Sequence, residues 1–450
     1  MLHEKNPLIT GTLLLTVAGF ITRIMGFFYR IFLSQTIGEE GMGIYQLIAP
    51  IMALSFSLTA AGIQTGISKY VASCQGEYAG QKKLHVLQIG MLCSLALSVL
   101  VGFFLFDQSE ALSKYFLLET RCAPLIRIYA LSVPLSAVHS CTCGYYYGMK
   151  KTVTPAITQL FEQLIRVSCV FLLCQYLFLK GQIPTVSIAA VGLVAGELAS
   201  MMFCLFSIQI HSARQKTILF HFTYPTALKN STIFRTLFKM AVPLSFSRII
   251  LNLMQSIEAV YIPNRLQLYG LSTKEALSLY GVLTGMAFPL IFFPSTLTNS
   301  LSVLLLPYIS EADSLGQRKK IVSAFRKCFL CCLFLGILCG LFFFFTGSFL
   351  GSFLFHSKKA GIFIVSLSYI CPFLYLGGVL TSILHGLGKM ITSFWLNLAA
   401  LSIRLCFVFL AIPKFGIQGY LVGILVSQLV FCLLILVALK DYIYYNKTVF

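Results

Sequence analysis

Long apolar runs follow one another along the whole chain, separated by polar connections. A helix needs about 20 apolar residues to cross the hydrocarbon core of a membrane, because each residue rises about 1.5 Å. The runs reach this length and lack the period-two alternation of a membrane-spanning barrel. The pattern therefore predicts an all-α integral membrane protein with about 12 transmembrane helices. The predicted spans lie near residues 9–35, 44–72, 84–106, 123–148, 152–178, 185–210, 237–262, 277–306, 328–346, 361–385, 392–412 and 418–439.

The composition supports the same interpretation. The 450 residues are 58% hydrophobic and 10% charged, with a mean hydropathy of +0.87. Soluble domains carry about 25% charged residues, so this chain has too few charges to cover itself with a hydrated surface. A water-soluble globular protein is thereby excluded.

The net charge of +19 would suggest a nucleic-acid partner in a soluble protein, but its distribution indicates otherwise. With the N-terminus in the cytoplasm, 19 of the 33 Lys and Arg residues lie in cytoplasmic segments, eight in external segments and six within spans. An excess of Lys and Arg on the cytoplasmic side is the usual topology signal of membrane proteins. We therefore predict a multi-pass protein of the cytoplasmic membrane with both termini cytoplasmic and no nucleic-acid partner.

The longest polar connection divides the chain into two halves of six spans. We predict an N-terminal six-helix lobe (1–212), a cytoplasmic linker (213–236) and a C-terminal six-helix lobe (237–450). Many transporters are built from two repeated halves around a site near the membrane midplane. The division therefore favours a transporter.

The two halves also resemble each other in sequence. A shift of 238 residues matches ten of the 39 positions from Pro134 to Leu172 without a gap, including Arg166 with Arg404. One span later, a shift of 227 residues aligns a second set of small residues. These are Gly192 with Gly419, Gly196 with Gly423 and Ser200 with Ser427. We interpret the halves as a duplication.

Charges inside the predicted spans indicate where such a transporter binds its cargo. A charge at the bilayer centre costs about 2.5–3.5 kcal/mol on insertion scales, so each needs a partner or a hydrated cavity. Nine charges fall within the spans, six basic and three acidic. They are Arg23, Arg30, Arg127, Glu162, Arg166, Glu197, Arg248, Glu258 and Arg404. Because guanidinium is the preferred fork for phosphate, the positive surplus predicts a hydrated cavity for an anion.

Spacing along the helices suggests a role for each group. Glu162 and Arg166 are four residues apart and share a helical face, so we expect them to pair. Arg23, Arg248 and Arg404 have no carboxylate nearby on their own helices, which suits contact with an anionic headgroup. The predicted substrate contacts are Arg23, Arg166, Arg248, Arg404, Asn252 and Gln255, supported by Glu162, Glu197 and Arg30.

Motifs of enzymes and resident cofactors are not found, so the sequence predicts neither an enzyme nor a cofactor. The CxxC at Cys328 and Cys331 lacks the second ligand pair of a zinc site, so no metal site is predicted. His139 is interpreted as a residue that is packed or hydrogen-bonded within the helix bundle. With no nucleotide-binding motif, transport must draw on a gradient or on the membrane potential. A coupling cation, sodium or proton, is left open, with Glu258 and Asn397 as its suggested ligands.

Several segments resemble the family of stage V sporulation protein B, in the multidrug/oligosaccharidyl-lipid/polysaccharide exporter superfamily. The opening blocks are GTLLLTVAGFITRIMGFFYR (11–30) and IGEEGMGIYQLIAP (37–50), followed by TPAITQLFEQLIRV (154–167) and LPYISEADSLGQ (306–317). The resemblance implies two six-helix lobes in a V, a central cationic cavity and alternating access. It also implies that Arg23 matches an arginine of the related lipid II flippase, whereas Arg30 falls one residue beyond a second.

The resemblance implies a flippase for a polyprenyl-pyrophosphate-linked oligosaccharide, used for spore cortex peptidoglycan. Cell-wall synthesis proteins are further expected partners. Two alternatives stay open. One is a multidrug or organic-cation antiporter of the same superfamily, which would use Glu162, Glu197 and Glu258 as an acidic site. The other is a membrane scaffold for cell-wall synthesis that transports nothing.

Overall fold

Helices form all the regular structure in the part of the chain that the computed structural model describes, residues 7–74, 79–214 and 230–443. Within these ranges, ten helices are long and apolar enough to cross a membrane, and two bent helix pairs raise the number to twelve. Each coincides with one predicted span, so the prediction of about twelve spans is confirmed. Most of the predicted linker, residues 215–229, lies outside the described residues.

The chain forms two compact units. Unit 1 comprises Met1–Tyr29 and Leu47–Leu253, and unit 2 comprises Arg30–Gln46 and Met254–Phe450. The helices of the first half are α1 (Pro7–Gln46), α2 (Ala49–Phe56), α3 (Gly62–Ser73), α4 (Ala79–Asp107), α5 (Ser109–Ala111), α6 (Ala123–Ala130), α7 (Ser132–Gly148), α8 (Val153–Leu179) and α9 (Ser187–Arg214). Those that follow are α10 (Asn230–Leu268), α11 (Thr273–Gly281), α12 (Phe288–Phe292), α13 (Ser295–Ser314), α14 (Arg318–Phe355), α15 (Lys358–Ser368), α16 (Cys371–Gly386), α17 (Met390–Leu410), α18 (Ile412–Phe415) and α19 (Ile417–Ile443).

Two helices, α1 and α10, contribute residues to both units. The boundary falls after Tyr29 in α1 and after Leu253 in α10. Residues 30–46, predicted in the N-terminal lobe, belong to unit 2. Residues 237–253, predicted in the C-terminal lobe, belong to unit 1. The α1 segment also runs beyond its predicted end at residue 35, and it consists of two helices that meet at a kink at Gly38, whose backbone is not helical (φ 73°, ψ 179°). Glycine adopts a positive φ at little steric cost.

Both halves bend the same span at the same place. In the first half α6 ends at Ala130 and α7 begins at Ser132, with a bend of 47°. In the second half α15 ends at Ser368 and α16 begins at Cys371, with a bend of 59°. Ala130 and Ser368 are 238 residues apart, the shift that aligns the two sequences.

Close helix crossings repeat with the same shift. A Cβ added to Gly102 of α4 would lie 3.0 Å from the Ala130 carbonyl oxygen, and one added to Gly340 of α14 would lie 3.0 Å from that of Ser368. Lipid tails are as apolar as leucine, so helices in a membrane associate largely through such close packing at small residues. The identical register of the two crossings confirms the predicted repeat.

Segments of π-helix interrupt the second span of each half. One occupies Ser57–Ala61 between α2 and α3, and the other occupies Val282–Ala287 between α11 and α12. A π-turn removes the normal i to i−4 pairing at its site, and such turns occur often at functional positions. The first of these segments contacts predicted site residues of α10, as described below.

Candidate functional site

A cluster of four charged or titratable side chains lies where α7, α8 and α9 meet in unit 1. We call it the His–Glu–Glu–Arg cluster: His139 on α7, Glu162 and Arg166 on α8, and Glu197 on α9. The α9 helix approaches α8 closely here, since a Cβ added to Gly196 would lie 3.0 Å from the Glu162 carbonyl oxygen. The glycine therefore allows the neighbouring Glu197 to reach the charges of α8.

Hydrogen bonds and ion pairs join the cluster. Arg166 donates to the carboxylate of Glu162, which confirms the predicted pair one helical turn apart. His139 Nδ1 lies 3.2 Å from Glu197 Oε2 and 4.0 Å from Glu162 Oε2. The imidazole thus lies beside both carboxylates; the sequence analysis allowed His139 a hydrogen bond but did not identify these partners. The available signal was a histidine in the interior of a span.

Gln163 extends the cluster toward α1. Its Oε1 accepts a hydrogen bond of 3.4 Å from Arg166 Nη1, and its Nε2 would lie 3.6 Å from a Cβ added to Gly26. Gly26 follows Arg23 by three residues, one turn along α1, and the Arg23 side chain is exposed. Gly26, one turn after Arg23 on α1, therefore lies against α8 beside the cluster.

Two predicted cargo contacts on α10, Arg248 and Asn252, contact the π-helical segment of the second span. Arg248 Nη1 lies 3.4 Å from the Ala61 carbonyl oxygen, and the Arg248 side chain is otherwise exposed. Asn252 Nδ2 donates to Ser57 Oγ at 2.6 Å and to the Ala53 carbonyl oxygen at 3.2 Å. Asn252 therefore fastens α10 to the second span, whereas the exposed guanidinium of Arg248 retains donors for a ligand.

A second ion pair lies in unit 2. Arg404 Nη2 of α17 donates to Glu258 Oε2 of α10 at 2.6 Å, and Arg404 Nε lies 2.5 Å from Glu258 Oε1. Tyr420 of α19 donates to Glu258 Oε1 at 2.7 Å. The Glu258 side chain is 6% exposed. The sequence showed no carboxylate within helical spacing of Arg404 on α17. In the structure Glu258 of α10 supplies one, so the Arg404 guanidinium is bound by a protein side chain.

The two residues suggested for a coupling cation, Glu258 and Asn397, are each hydrogen-bonded to other protein groups. Glu258 uses both carboxylate oxygens for Arg404 and Tyr420. Asn397 Nδ2 donates to the Ser393 carbonyl oxygen of its own helix at 2.9 Å. The carboxylate of Glu258 is already neutralised by Arg404, which disfavours a cation at this position.

The remaining predicted residues lie in the segments that belong to unit 2. Gln255 is exposed on α10, and Arg30 is half-buried on α1. The same part of α1 carries Glu39. Its carboxylate accepts hydrogen bonds of 2.6 Å from Ser278 Oγ and from Ser357 Oγ. Glu39 therefore links α1 to α11 and to the residue that precedes α15.

Some side chains of unit 1 have nitrogen, sulfur or oxygen atoms close enough together to be considered for a metal ion. Among the described residues these are the groups His139, Cys143, Cys204 and His139, Glu162, Glu197, with atoms within 4.8 Å of one another. Arg166 already neutralises Glu162, and His139 Nδ1 lies within hydrogen-bond distance of Glu197. These pairings describe an ion-paired network, and we assign no metal ligand there.

Comparison with known proteins places the chain in a family. Residues 8–313 match the family described as "Polysaccharide biosynthesis protein". The chain is 31% identical over 439 residues to stage V sporulation protein B of Bacillus subtilis (strain 168), covering 96% of this chain and 83% of that protein. It is 24% identical over 334 residues to the lipid II flippase MurJ of the same organism, covering 70% of this chain and 60% of that protein.

Solved structures show the fold. The inward closed conformation of lipid II flippase MurJ matches with a TM-score of 0.73 at 15% identity, covering 95% of this chain and 87% of that chain. An inward-facing multidrug resistance MATE family transporter of the MOP superfamily matches with a TM-score of 0.69 at 13% identity, covering 95% of this chain and 96% of that chain. The expected all-α, two-lobe transporter fold is thereby confirmed. The chain belongs to the polysaccharide biosynthesis protein family, and its multi-pass helical fold is that of these solved structures.

Proposed function

We propose that the protein is a flippase that moves a polyprenyl-pyrophosphate-linked oligosaccharide outward across the cytoplasmic membrane by alternating access. The observation that carries the proposal is the exposure of Arg23 and Arg248 in the interior of apolar spans of unit 1. A charge at that depth needs water or an anionic partner. Guanidinium groups bind phosphate through parallel N–H donors, so a pyrophosphate headgroup fits this chemistry.

The structure divides the four proposed arginine contacts into two kinds. Arg23 and Arg248 are exposed, whereas Arg166 and Arg404 are held by Glu162 and Glu258. We propose that Arg23 and Arg248 bind the headgroup first and that Arg166, joined to the same region through Gln163, completes the site. Gln255, exposed on α10, is the proposed contact for the sugar portion.

The family supports the class of cargo. One relative is named a lipid II flippase and another a sporulation protein. We propose a cell-wall peptidoglycan precursor as the cargo, with spore cortex synthesis as its use and with cell-wall synthesis proteins as partners. The excess of Lys and Arg in alternate connections supports an orientation with both termini in the cytoplasm.

A cation antiporter is less well supported by the geometry. It would need a carboxylate that is open to the cargo, and the three acidic residues of the spans, Glu162, Glu197 and Glu258, each contact a basic side chain within the protein. Resistance of expressing cells to cationic dyes, abolished by Glu197→Gln, would favour the antiporter over the flippase.

Flux measured in reconstituted vesicles with a purified lipid-linked precursor tests the flippase. We expect the double variant Arg23→Ala, Arg248→Ala to lose at least about tenfold in flux, the effect of one lost charge-assisted hydrogen bond of about 1.5 kcal/mol. Arg326→Ala, an exposed arginine outside the predicted spans, serves as the control. Normal flux in the double variant, at equal protein content, would refute the proposal.

The membrane potential supplies the proposed driving force. A headgroup with two negative charges gains about 2.3 kcal/mol per charge per 100 mV when it crosses an inside-negative potential outward. Flux in vesicles should therefore rise with a potassium–valinomycin potential of the correct sign. Flux that ignores voltage but follows a sodium gradient would contradict this energy source.

A further inference from the structure

The second half of the repeat keeps only one member of the His–Glu–Glu–Arg cluster. The 238-residue shift places Gly377 opposite His139 and Ala400 opposite Glu162, while Arg166 is matched by Arg404. The 227-residue shift of the last span places Ile424 opposite Glu197. Three polar or charged groups of the first half are thus replaced by groups that cannot be ionised.

The second half fills the equivalent space with an aromatic ring. Phe431 stands opposite Cys204 in the repeat, and its Cε1 would lie 3.4 Å from a Cβ added to Gly377. Phe431 belongs to a buried apolar cluster against which Ala400 packs. The positions equivalent to His139, Glu162 and Glu197 are therefore occupied without an ionisable group. Since the fold does not require the cluster, its charges in the first half need a functional explanation.

The formal charges of the cluster favour one bound proton. Two carboxylates and one guanidinium leave a net charge of −1, and a protonated His139 brings the sum to zero. An uncompensated charge in a membrane span is costly, so the neutral state with one proton shared by His139, Glu162 and Glu197 is favoured. Each of the four side chains is 16–20% exposed, so the cluster is not sealed inside unit 1.

The neighbouring thiols and phenol add no fixed charge. Cys143 of α7 and Cys204 of α9 are buried thiols beside the cluster, and Cys204 Sγ lies 3.7 Å from Thr158 Oγ1 of α8. Tyr129 of α6 is bonded to Ser55 at 2.8 Å. Thiols and phenols are ordinarily neutral near pH 7. On α1, Gly26 lies against Gln163, and the cationic Arg23 is one helical turn earlier.

We propose that the His–Glu–Glu–Arg cluster is a proton-binding site whose occupancy is linked to anion binding by Arg166. The linked part rests on the proposed function. When a phosphate group takes the guanidinium of Arg166, Glu162 loses the partner that neutralises it. One proton from water then binds a Glu162 carboxylate oxygen, which converts the carboxylate to a neutral carboxyl. Linkage is reciprocal, so protonation of Glu162 equally releases Arg166 to the anion.

Infrared difference spectroscopy tests the proton site without any cargo. Between about pH 5 and pH 8, the range in which histidine titrates, the wild-type protein should show a carboxyl C=O band that changes with pH and shifts in D₂O. The isosteric variants Glu162→Gln and Glu197→Gln should each lose most of it. Glu110→Gln changes an exposed carboxylate outside the cluster and should not alter the band.

The absence of such a band in the wild-type protein would overturn the proposal, and so would an unchanged band in both glutamine variants. Should a variant fail to fold, the wild-type band and its D₂O shift still decide whether a carboxyl titrates in this range. Reduced band amplitude in a folded variant supports the assignment to the cluster.

Calorimetry tests the linkage. Binding of a short-chain polyprenyl pyrophosphate is measured at one pH in buffers of different ionisation enthalpy. We expect an uptake of about one proton per ligand bound to wild type, and close to none in Glu162→Gln. Binding without proton uptake in wild type would overturn the linkage. Absence of binding would refute the proposed function instead, while the infrared result would still decide whether the cluster binds a proton.

Discussion

The Arg404 guanidinium of α17 lies against the Glu258 carboxylate of α10, with Nη2 2.6 Å from Oε2, although the two residues are 146 positions apart in the chain. The hydroxyl of Tyr420 donates to the same carboxylate at 2.7 Å. Three helices of unit 2 therefore meet at one buried negative charge. The pair satisfies two charges that would each be costly in a span.

Loss of this carboxylate should destabilise the protein strongly. Glu258→Gln would leave the arginine buried without its counter-charge, and removing one partner of a buried ion pair typically costs about 3–5 kcal/mol. Thermal unfolding of the purified protein in detergent measures the effect. In Glu110→Gln, the exposed pair with Arg127 is lost, and we expect a change below about 1 kcal/mol. Equal stability of the two variants would contradict the role assigned to Glu258.

Gly43 should be intolerant of even a methyl group. A Cβ at this position would overlap the Leu277 carbonyl oxygen of α11, a backbone atom that cannot turn aside. We expect Gly43→Ala to lower the unfolding temperature. Gly19→Ala on the same helix is the matched control, because nothing lies within 4 Å of a Cβ there. That control should be neutral or slightly stabilising, since alanine favours a helix over glycine by up to about 1 kcal/mol.

Asn252 and Gln255 are both predicted cargo contacts on α10, but we expect Asn252 to affect stability and Gln255 to affect flux. Asn252→Ala removes hydrogen bonds to Ser57 and Ala53 and should cost about 1 kcal/mol of stability. Gln255→Ala, at an exposed position, should leave stability within about 0.5 kcal/mol and lower flux instead. The contrary result, in which Asn252→Ala reduces flux at unchanged stability, would identify Asn252 as a cargo contact.

Acid should weaken the short segment before α6. Burial alone would raise the pKa of Glu119, but hydrogen bonds from the side chain and backbone of Arg121 lower that pKa below its ordinary value of 4.5. A carboxyl whose pKa is lower in the folded state contributes stability above its unfolded pKa and loses it as the pH falls through the folded pKa. The unfolding temperature should therefore drop below pH 4.5, and Glu119→Gln should show a smaller drop. Parallel curves would exclude this contribution.

The spans and the repeat could be predicted because both depend only on the order of residues along the sequence. An apolar run of 20 residues has few other structures open to it in a membrane, and Arg166 and Arg404 mark the duplication in the sequence itself. The pairing of Glu162 with Arg166 follows from helical spacing for the same reason.

Contacts between helices were not predictable in this way. No spacing rule brings Glu258 to Arg404, or His139 to Glu197, because the rotation of each helix about its axis is set by packing at small residues. Gly196 illustrates this, since it brings α9 close enough to α8 for Glu197 to join the cluster. Position within a span indicates the depth of a charge but not the helix that it faces.

Because α1 and α10 each contribute residues to both compact units, cutting the chain between its two halves does not separate the units. The chain passes from one unit to the other after Tyr29, after Gln46 and after Leu253. A single cut in the central connection would therefore yield two fragments, each lacking a stretch of helix that its own unit needs and carrying one that belongs to the other. Fragments expressed separately should be incomplete, and co-expressed fragments should regain their structure only by exchanging these stretches, as in a complementation assay.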